Sequence, residues 1–294
     1  MAFRQVTIVG TGLIGGSLGL ALRKRQLAGR IIGCDRAPAL ERAQKCGAIE
    51  VGMTHLAEAV IGSDLIVLAA PVLPILDMID RLGPSLPAKT LVTDVGSTKA
   101  DVVQRAAKSF GKNAGDRFLA GHPMAGKEQA GVEFADADLF EGAAWLFTPL
   151  PEQNVHAGRG GEFVHCVEKI GAKVAVLAAP EHDRLCAWIS HLPQLISTAL
   201  AASLVDEFGP DAPVLDVGGR ALREMTRISG SPYSMWRDIA ITNRKNLSDV
   251  LSKMEQRLAH IRENLDSREL AAEFELAHQL RKIPIRKDES LKRN

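Results

Sequence analysis

The sequence has little net charge and few cysteines, and its most apolar run is short. Its 36 Lys and Arg against 35 Asp and Glu leave a formal net charge of +1, which favours neither a nucleic acid nor an anionic membrane as partner. The most apolar stretch, LIVLAAPVLPIL from Leu65, contains two prolines and is too short to span a bilayer. A small-molecule site is therefore a better expectation than a macromolecular surface.

The four cysteines, at positions 34, 46, 166 and 186, show no CxxC or other metal-ligand spacing. Reduced thiols in a cytoplasmic protein are the simplest interpretation. The residues that lead into QVTIVG near the N-terminus do not show the charged and then apolar regions of a signal peptide. We therefore expect a cytoplasmic protein without a metal site.

What is present is an alternation of short apolar runs and helical patterns. Strands are predicted at QVTIVG, RIIGCD, DLIVLAA, TLVTDVG and RFLAG, with further strands at AAWLFTP and AKVAVLA. Near-continuous apolar strands separated by helices predict a parallel sheet covered on both faces. This is the pattern of an α/β, doubly wound Rossmann-type domain, which we place at residues 1–178.

After residue 178 the sequence predicts helices only. We expect a helical substrate and dimerisation domain over 179–283 and a basic, disordered tail over 284–294. From Ser234 to Ile261 apolar residues recur at steps of three and four, which predicts one long amphipathic helix. Such a helix has more apolar surface than a small domain can bury, so we expect a homodimer formed through it.

The segment GTGLIG, residues 10–15, lies between the first strand and the first helix. Gly10 permits the tight turn, Gly12 lets the backbone approach a pyrophosphate, and Gly15 lets the helix pack on the strand. Leu13 and Ile14 open the helix, whose unpaired N–H groups suit phosphate. The spacing predicts a dinucleotide site.

Asp35 ends the second strand, 20 residues after Gly15, where a carboxylate can accept hydrogen bonds from an adenosine ribose. A carboxylate there repels a 2′-phosphate and so favours NAD over NADP, although Arg36 beside it weakens that preference.

The segment GGSLG, which overlaps the glycine turn at Gly15, also fits the GxSxG nucleophile elbow of hydrolases, with Ser17 as nucleophile. Setting the glycines by the tighter motif places Ser17 inside the helix, which argues against this alternative.

His122 lies in GHPMAG, where glycine and proline predict a loop. It is either a solvated loop histidine or a base presented to a substrate. The motifs VGTGLIGGSLGLAL, DVGSTK, GHPMAG, SHLPQ and TRISGSPYSMWRDI occur in this order along the chain. Together they resemble the prephenate and arogenate dehydrogenases of tyrosine biosynthesis, across nearly the whole chain.

The resemblance implies NAD-dependent oxidative decarboxylation of a cyclohexadienol by a Rossmann domain joined to a helical dimerisation domain. His122 matches the family's catalytic histidine, and Ser97 matches a serine that hydrogen-bonds the same hydroxyl. The alternative for Ser97 is an N-cap of the helix predicted over Thr98 to Gln104, and the two roles are compatible with each other.

His191, two residues before a helix-kinking Pro193, matches a pocket histidine, with a buried structural histidine as the rival interpretation. Gln194 stands where some relatives have histidine, so the substrate side chain stays open. Ser231 and Trp236 match further pocket positions, although the tryptophan could equally belong to the core or the dimer interface.

Arg227 matches the arginine that holds a substrate carboxylate. Arg220, Arg223 and Arg227 are spaced to share one helical face, which is either an anion-binding fork or a solvated basic face paired with Glu224. His182, between two acidic residues at a helix start, is interpreted as a surface residue. Two other functions stay open: a β-hydroxyacid or imine dehydrogenase of similar architecture, and a catalytically silent NAD-binding redox sensor.

Overall fold

The computed structural model describes residues 2–127, 129–210 and 217–282. Two compact units are distinguished, one ending at Arg244 and one starting at Lys245. The last strand ends at Val176 and helices follow from Ala179, close to the predicted boundary at 178. Helices 179–244 nevertheless form one compact unit with the sheet. The predicted tail, 284–294, lies outside the described residues.

Eight strands form one sheet in the order β3-β2-β1-β4-β5-β6-β7-β8. All neighbours are parallel except β6 and β7, which are antiparallel. The order reverses between β1 and β4, as expected for a Rossmann-type sheet, so the predicted fold class is confirmed. The strands are β1 Phe3–Val9, β2 Ala28–Cys34, β3 Val51–Met53, β4 Leu65–Leu68, β5 Leu91–Asp94, β6 Phe118–Pro123, β7 Ala144–Thr148 and β8 Lys173–Val176.

Two hydrophobic clusters cover the two faces of this sheet. Strand β4, with the sequence LIVL, is buried at every position because both of its faces are covered. The helices that cover the sheet are α1 Leu13–Lys24, α2 Ala37–Lys45, α3 Leu56–Ala59, α4 Val72–Leu82, α5 Ala100–Phe110, α6 Ala114–Arg117 and α7 Gly158–Lys169.

After β8, all regular secondary structure of the described residues is helical, as predicted. A π-type turn, Ala187–His191, interrupts the helical run just before Pro193, which has no N–H to continue the ordinary ladder. A 3₁₀ turn, Arg227–Gly230, follows α10. The helices are α8 Ala179–Cys186, α9 Leu192–Phe208, α10 Gly219–Thr226, α11 Tyr233–Thr242, α12 Arg244–Glu263 and α13 Arg268–Lys282.

The prediction of one long helix from Ser234 to Ile261 is wrong at Asn243, where α11 ends and α12 begins. The buried Asn243 side chain donates to the carbonyl of Asp183, 2.9 Å away, and lies 3.2 Å from Nδ1 of His191. These tertiary bonds hold the residue out of helical geometry. Periodicity alone could not reveal them.

Helix α9 is apolar around most of its circumference but buries only Leu192, Gln194 and Ser197. Val205 and Phe208 are among its exposed apolar side chains. In the described part of the chain, the run Ala179–Phe208 is long and apolar enough to cross a membrane by length and composition alone, with a mean hydropathy of 1.2. This is weak evidence, because the core helix of a soluble protein passes the same test.

Candidate active site

The carboxyl ends of the central parallel strands carry the candidate site. The glycine turn follows β1, Asp94 ends β5, and His122 lies near the end of β6. Ligands of open α/β sheets bind at this edge, because loops from neighbouring strands meet there.

The glycine turn has the geometry that a pyrophosphate needs. At Gly10, φ is +94° and an added Cβ would lie 2.2 Å from the carbonyl oxygen of Ala69. At Gly15 a Cβ would lie 2.0 Å from the Gly10 carbonyl oxygen, so this glycine is required for close packing of helix on strand. At Gly12, by contrast, a Cβ would meet nothing within 4 Å. The open space over Gly12 is where backbone can approach a phosphate, and Leu13 and Ile14 open α1 beside it.

Asp35 is held against the same turn. Its Oδ2 accepts hydrogen bonds from the backbone N–H of Thr11 at 2.8 Å and from the Thr11 hydroxyl at 3.1 Å. Its Oδ1 accepts from the N–H of Arg36 at 2.7 Å. The carboxylate is therefore fixed beside the glycines, with lone pairs left over for a ribose.

Ser17 is fully buried inside α1, and its hydroxyl accepts a hydrogen bond from the N–H of Asp136 at 2.9 Å. It occupies no sharp strand-to-helix turn. The hydrolase alternative at this residue is therefore wrong.

His122 lies within β6, opposite Leu146 of β7, and is 8% exposed. The prediction of a loop is wrong here, because antiparallel pairing with β7 extends the strand through Pro123 and the break comes after it. Burial is the main cause that lowers the pKa of His122 well below 6.5, and unfavourable interactions of a charged imidazole with His182, Lys99 and His191 add to it. The imidazole is therefore neutral near pH 7 and can accept a proton.

His182 is the main correction to the sequence analysis, since it is fully buried rather than on the surface. Its Nε2 lies 2.9 Å from Nδ1 of His122, and its Nδ1 lies 2.8 Å from Oδ1 of Asp183. Cys186, one turn further along α8, places Sγ 3.5 Å from Nε2 of His182. A His-Asp pair in the first turn of a helix usually faces solvent, so no local pattern indicated this burial.

Asp183 caps a helix other than its own. Its two carboxylate oxygens accept from the backbone N–H groups of Lys99, at 2.7 Å, and Ala100, at 2.9 Å, at the start of α5. The N-cap position is therefore Lys99, and the N-cap interpretation of Ser97 is wrong. The hydroxyl of Ser97 makes no hydrogen bond with the residues that the structure describes.

Asp238 plays the same part for α4, because its Oδ2 accepts from the N–H of Leu73 at 3.1 Å while Oδ1 pairs with Arg237 at 2.9 Å. Two carboxylates from the helical region thus satisfy the N-termini of two sheet helices, where orphan N–H groups and the helix dipole favour anions. These contacts hold the helical residues at the carboxyl edge of the sheet.

His191 is 1% exposed, and burial lowers its pKa to about 4. Its Nδ1 faces the amide of Asn243, so in the neutral ring Nδ1 accepts and Nε2 carries the hydrogen. That Nε2 is buried without a partner among the described residues, and so is Nε1 of Trp236. The two rings meet edge to face, with centroids 5.8 Å apart. Buried donors without partners are rare in folded proteins, and they mark a place where a ligand can be received.

The structure does not bring every predicted residue to this cluster. Arg227 is exposed and starts the 3₁₀ turn, so the predicted common face with Arg220 and Arg223 ends at α10. Arg220 pairs with Glu224 at 2.8 Å, as the solvated-face alternative expects. No hydrogen bond or ion pair joins Arg227 to His122 in the described part of the chain.

The turn that carries Arg227 is nevertheless anchored to the helix of His191. Gln194 donates to the carbonyl of Ile228 at 2.8 Å and accepts from the hydroxyl of Ser231 at 3.1 Å. Ser231 also donates to that carbonyl at 2.9 Å, so its hydrogen is shared while its oxygen can still accept. Gln194, three residues after His191, thus ties the predicted pocket residue Ser231 to this helix.

Three comparisons assign these features to one family. Residues 18–176 match the model of the prephenate dehydrogenase nucleotide-binding domain, and residues 178–282 match that of the prephenate dehydrogenase dimerization domain. Together these models cover most of the chain. The chain belongs to the prephenate dehydrogenase family.

Relatives of known name fit this assignment. A prephenate dehydrogenase of Bacillus subtilis is 32% identical over 96% of this chain and 76% of its own length. A crystal structure of the Aquifex aeolicus prephenate dehydrogenase with hydroxyphenyl propionate and NAD+ is 31% identical, has a TM-score of 0.82, and is matched over 96% of both chains. An arogenate dehydrogenase of Synechocystis is 26% identical, with a TM-score of 0.71 over 95% of this chain and 97% of its own.

Within this family fold, a metal is not needed to explain the buried cluster. His122, His182 and Cys186 place one nitrogen or sulfur atom each within 4.8 Å of one another, a grouping that could hold a metal ion. The two nitrogens are already within hydrogen-bond distance of each other, and burial raises the pKa of the Cys186 thiol to about 12. A neutral thiol beside a hydrogen-bonded histidine pair is the simpler description.

Proposed function

We propose that this protein is a homodimeric, cytoplasmic dehydrogenase that uses NAD to oxidise and decarboxylate prephenate, arogenate or both. The observation that carries the proposal is His122, a buried and neutral imidazole at the carboxyl edge of a sheet whose glycine turn suits a dinucleotide. A neutral base beside a hydride acceptor is what oxidation of a carbinol requires.

When bound, NAD supplies the acceptor for the hydride that leaves the carbinol carbon. Gly10, Gly12 and Gly15, with the start of α1 at Leu13 and Ile14, would hold its pyrophosphate, and Asp35 its adenosine ribose. The fixed carboxylate of Asp35 disfavours a 2′-phosphate, so NAD is preferred to NADP.

His122 takes the hydroxyl proton as the hydride leaves, and Ser97, in the loop between β5 and α5, hydrogen-bonds the same hydroxyl. Release of CO2 then makes the ring aromatic, which draws the reaction forward. His191, Trp236 and Ser231 line the substrate pocket, the first two with buried donors that have no partner among the described residues. Arg227 holds a substrate carboxylate, for which a guanidinium fork is well suited.

The apolar faces of the helical region support the dimer. The match of 178–282 to a dimerization domain agrees with the exposed Val205 and Phe208 of α9 and with Leu258 and Phe274 beyond residue 244. Helices that leave so much apolar surface exposed are normally covered by a second copy.

The test is purified protein with NAD+ and either prephenate or arogenate, followed by NADH absorbance. The substitution His122→Asn should lower kcat about 10²- to 10⁴-fold, with KM nearly unchanged, because only the proton transfer is removed. NAD binding without turnover of either substrate would favour the silent redox sensor instead.

A further inference from the structure

Two buried hydrogen bonds connect Asp183, His182 and His122 in series, and the chemistry of the three side chains determines which atom donates in each bond. A carboxylate can only accept hydrogen bonds, so the contact of 2.8 Å requires a hydrogen on Nδ1 of His182. Burial lowers the pKa of His182, although the bond to Asp183 works against this, so the ring is neutral near pH 7. A neutral ring with Nδ1–H has a bare Nε2, which accepts.

The bare Nε2 of His182 then determines the tautomer of His122. Nδ1 of His122 lies 2.9 Å from that bare nitrogen and must carry the hydrogen of the bond. The hydrogen-free nitrogen of His122 is consequently Nε2, which has no hydrogen-bond partner in the described part of the chain.

From this geometry we propose that His182, fixed by Asp183, is a positioning residue that locks His122 in its Nδ1–H tautomer and keeps Nε2 as the atom that receives the substrate proton. The proposal deepens the proposed function, since it names the atom on which the proton transfer depends. When His122 becomes charged, its Nδ1–H remains bonded to His182, and the carboxylate of Asp183 lies at the far end of the chain.

Asp183 is suited to this task because it cannot turn. Its two oxygens are held by the N–H groups of Lys99 and Ala100, and it is 2% exposed. Other charged or titratable groups near His122 are His191, Cys186, Lys99 and Asp94, the last two forming a buried ion pair with each other. Lys99 is thus neutralised by its own partner rather than by Asp183.

The decisive measurement requires no substrate. Protein labelled with ¹⁵N in its imidazole rings, examined by two-bond ¹H–¹⁵N correlation, reports the tautomer of each histidine, and loss of one signal set in His122→Gln assigns His122. We expect Nδ1–H for both His122 and His182. An Nε2–H tautomer at His122 in the wild-type protein overturns the proposal, whatever the protein catalyses.

Two substitutions separate positioning from packing. His182→Met removes the acceptor, so His122 should take up the other tautomer and kcat should fall about 10- to 100-fold at nearly constant KM. His182→Gln offers an amide oxygen in place of Nε2, so it should retain the Nδ1–H tautomer and exceed the kcat of the methionine variant about tenfold. Equal kcat in the two variants, with the tautomer unchanged, refutes the positioning role.

Cys166→Ala serves as the matched control, because Cys166 lies on the buried face of α7, in the hydrophobic core and outside the three hydrogen-bonded residues. It should lower thermal stability without altering the tautomer of His122. Tightly bound zinc, measured by elemental analysis at one ion per chain and lost in His182→Gln, would assign the cluster to a metal and also end the proposal.

Discussion

Because its histidines are buried, we expect the folded protein to lose stability in mild acid. The pKa of His191 allows the size of this loss in the free energy of unfolding to be worked out. Its pKa falls from about 6.5 in the unfolded chain to about 4 in the folded protein. Above pH 6.5 the ring is neutral in both states and the folded protein loses nothing. Between pH 6.5 and about 4 the unfolded chain binds a proton that the folded chain excludes, so the free energy of unfolding falls.

At about 1.4 kcal/mol for each unit of pKa shift, the difference of about 2.5 units removes roughly 3 kcal/mol once the pH is below both values. At pH 5 the loss is about 2 kcal/mol. Either loss is a large part of the free energy of unfolding of an ordinary protein, about 5–15 kcal/mol.

The assay is urea unfolding at pH 7.5 and pH 5, at one fixed protein concentration because a dimer's stability depends on it. Other groups also titrate in this range, so the informative quantity is the difference between wild type and His191→Gln. The variant should lose about 2 kcal/mol less than the wild type over this interval. His165→Gln, which removes an exposed histidine on α7, is the matched control and should behave as the wild type. Equal losses in wild type and His191→Gln would mean that His191 accepts its proton while folded, and the reasoning from burial would fail.

Three further outcomes follow from the site. Arg227→Ala should raise KM for substrate about 10- to 100-fold, at nearly constant kcat, and a fall in kcat alone in steady-state kinetics would mean that the arginine acts on the transition state only. Asp35→Ser should narrow the preference for NAD over NADP about tenfold or more, and an unchanged ratio of kcat/KM would remove Asp35 from ribose recognition. Gly12→Ala should weaken NAD binding, measured by calorimetry, at constant Tm, because the added Cβ enters open space in the protein. Gly15→Ala should instead lower Tm by several degrees. A lower Tm in both variants would show that Gly12 is needed for folding rather than for the cofactor.

Agreement between sequence and structure is best where the signal is local. The apolar runs of β1 and β4 and the glycine spacing 10–15 were sufficient to predict a Rossmann-type sheet with its turn. The motif around His122 was sufficient to suggest a base, but not its strand conformation. That conformation depends on pairing with β7, whose residues lie more than 20 positions later.

The wrong predictions for His182 and Asn243 have one cause in common. His182 and Asn243 carry no periodic or spacing signal, since each is defined by a partner about 60 residues away, at His122 and at Asp183 respectively. The role of Asp183 as a cap for α5 was hidden for the same reason, and so was the end of α11.

By itself, the sequence determined the strand and helix alternation, the glycine turn and the set of residue types that the chemistry needs, because each of these depends on neighbours along the chain. Only the tertiary structure decided which nitrogen of His122 is available, which donors of His191 and Trp236 lack a partner in the described ranges, and which carboxylates cap α4 and α5. Hydrogen bonding and burial depend on atoms brought together from distant segments, and that information exists only once the chain has folded.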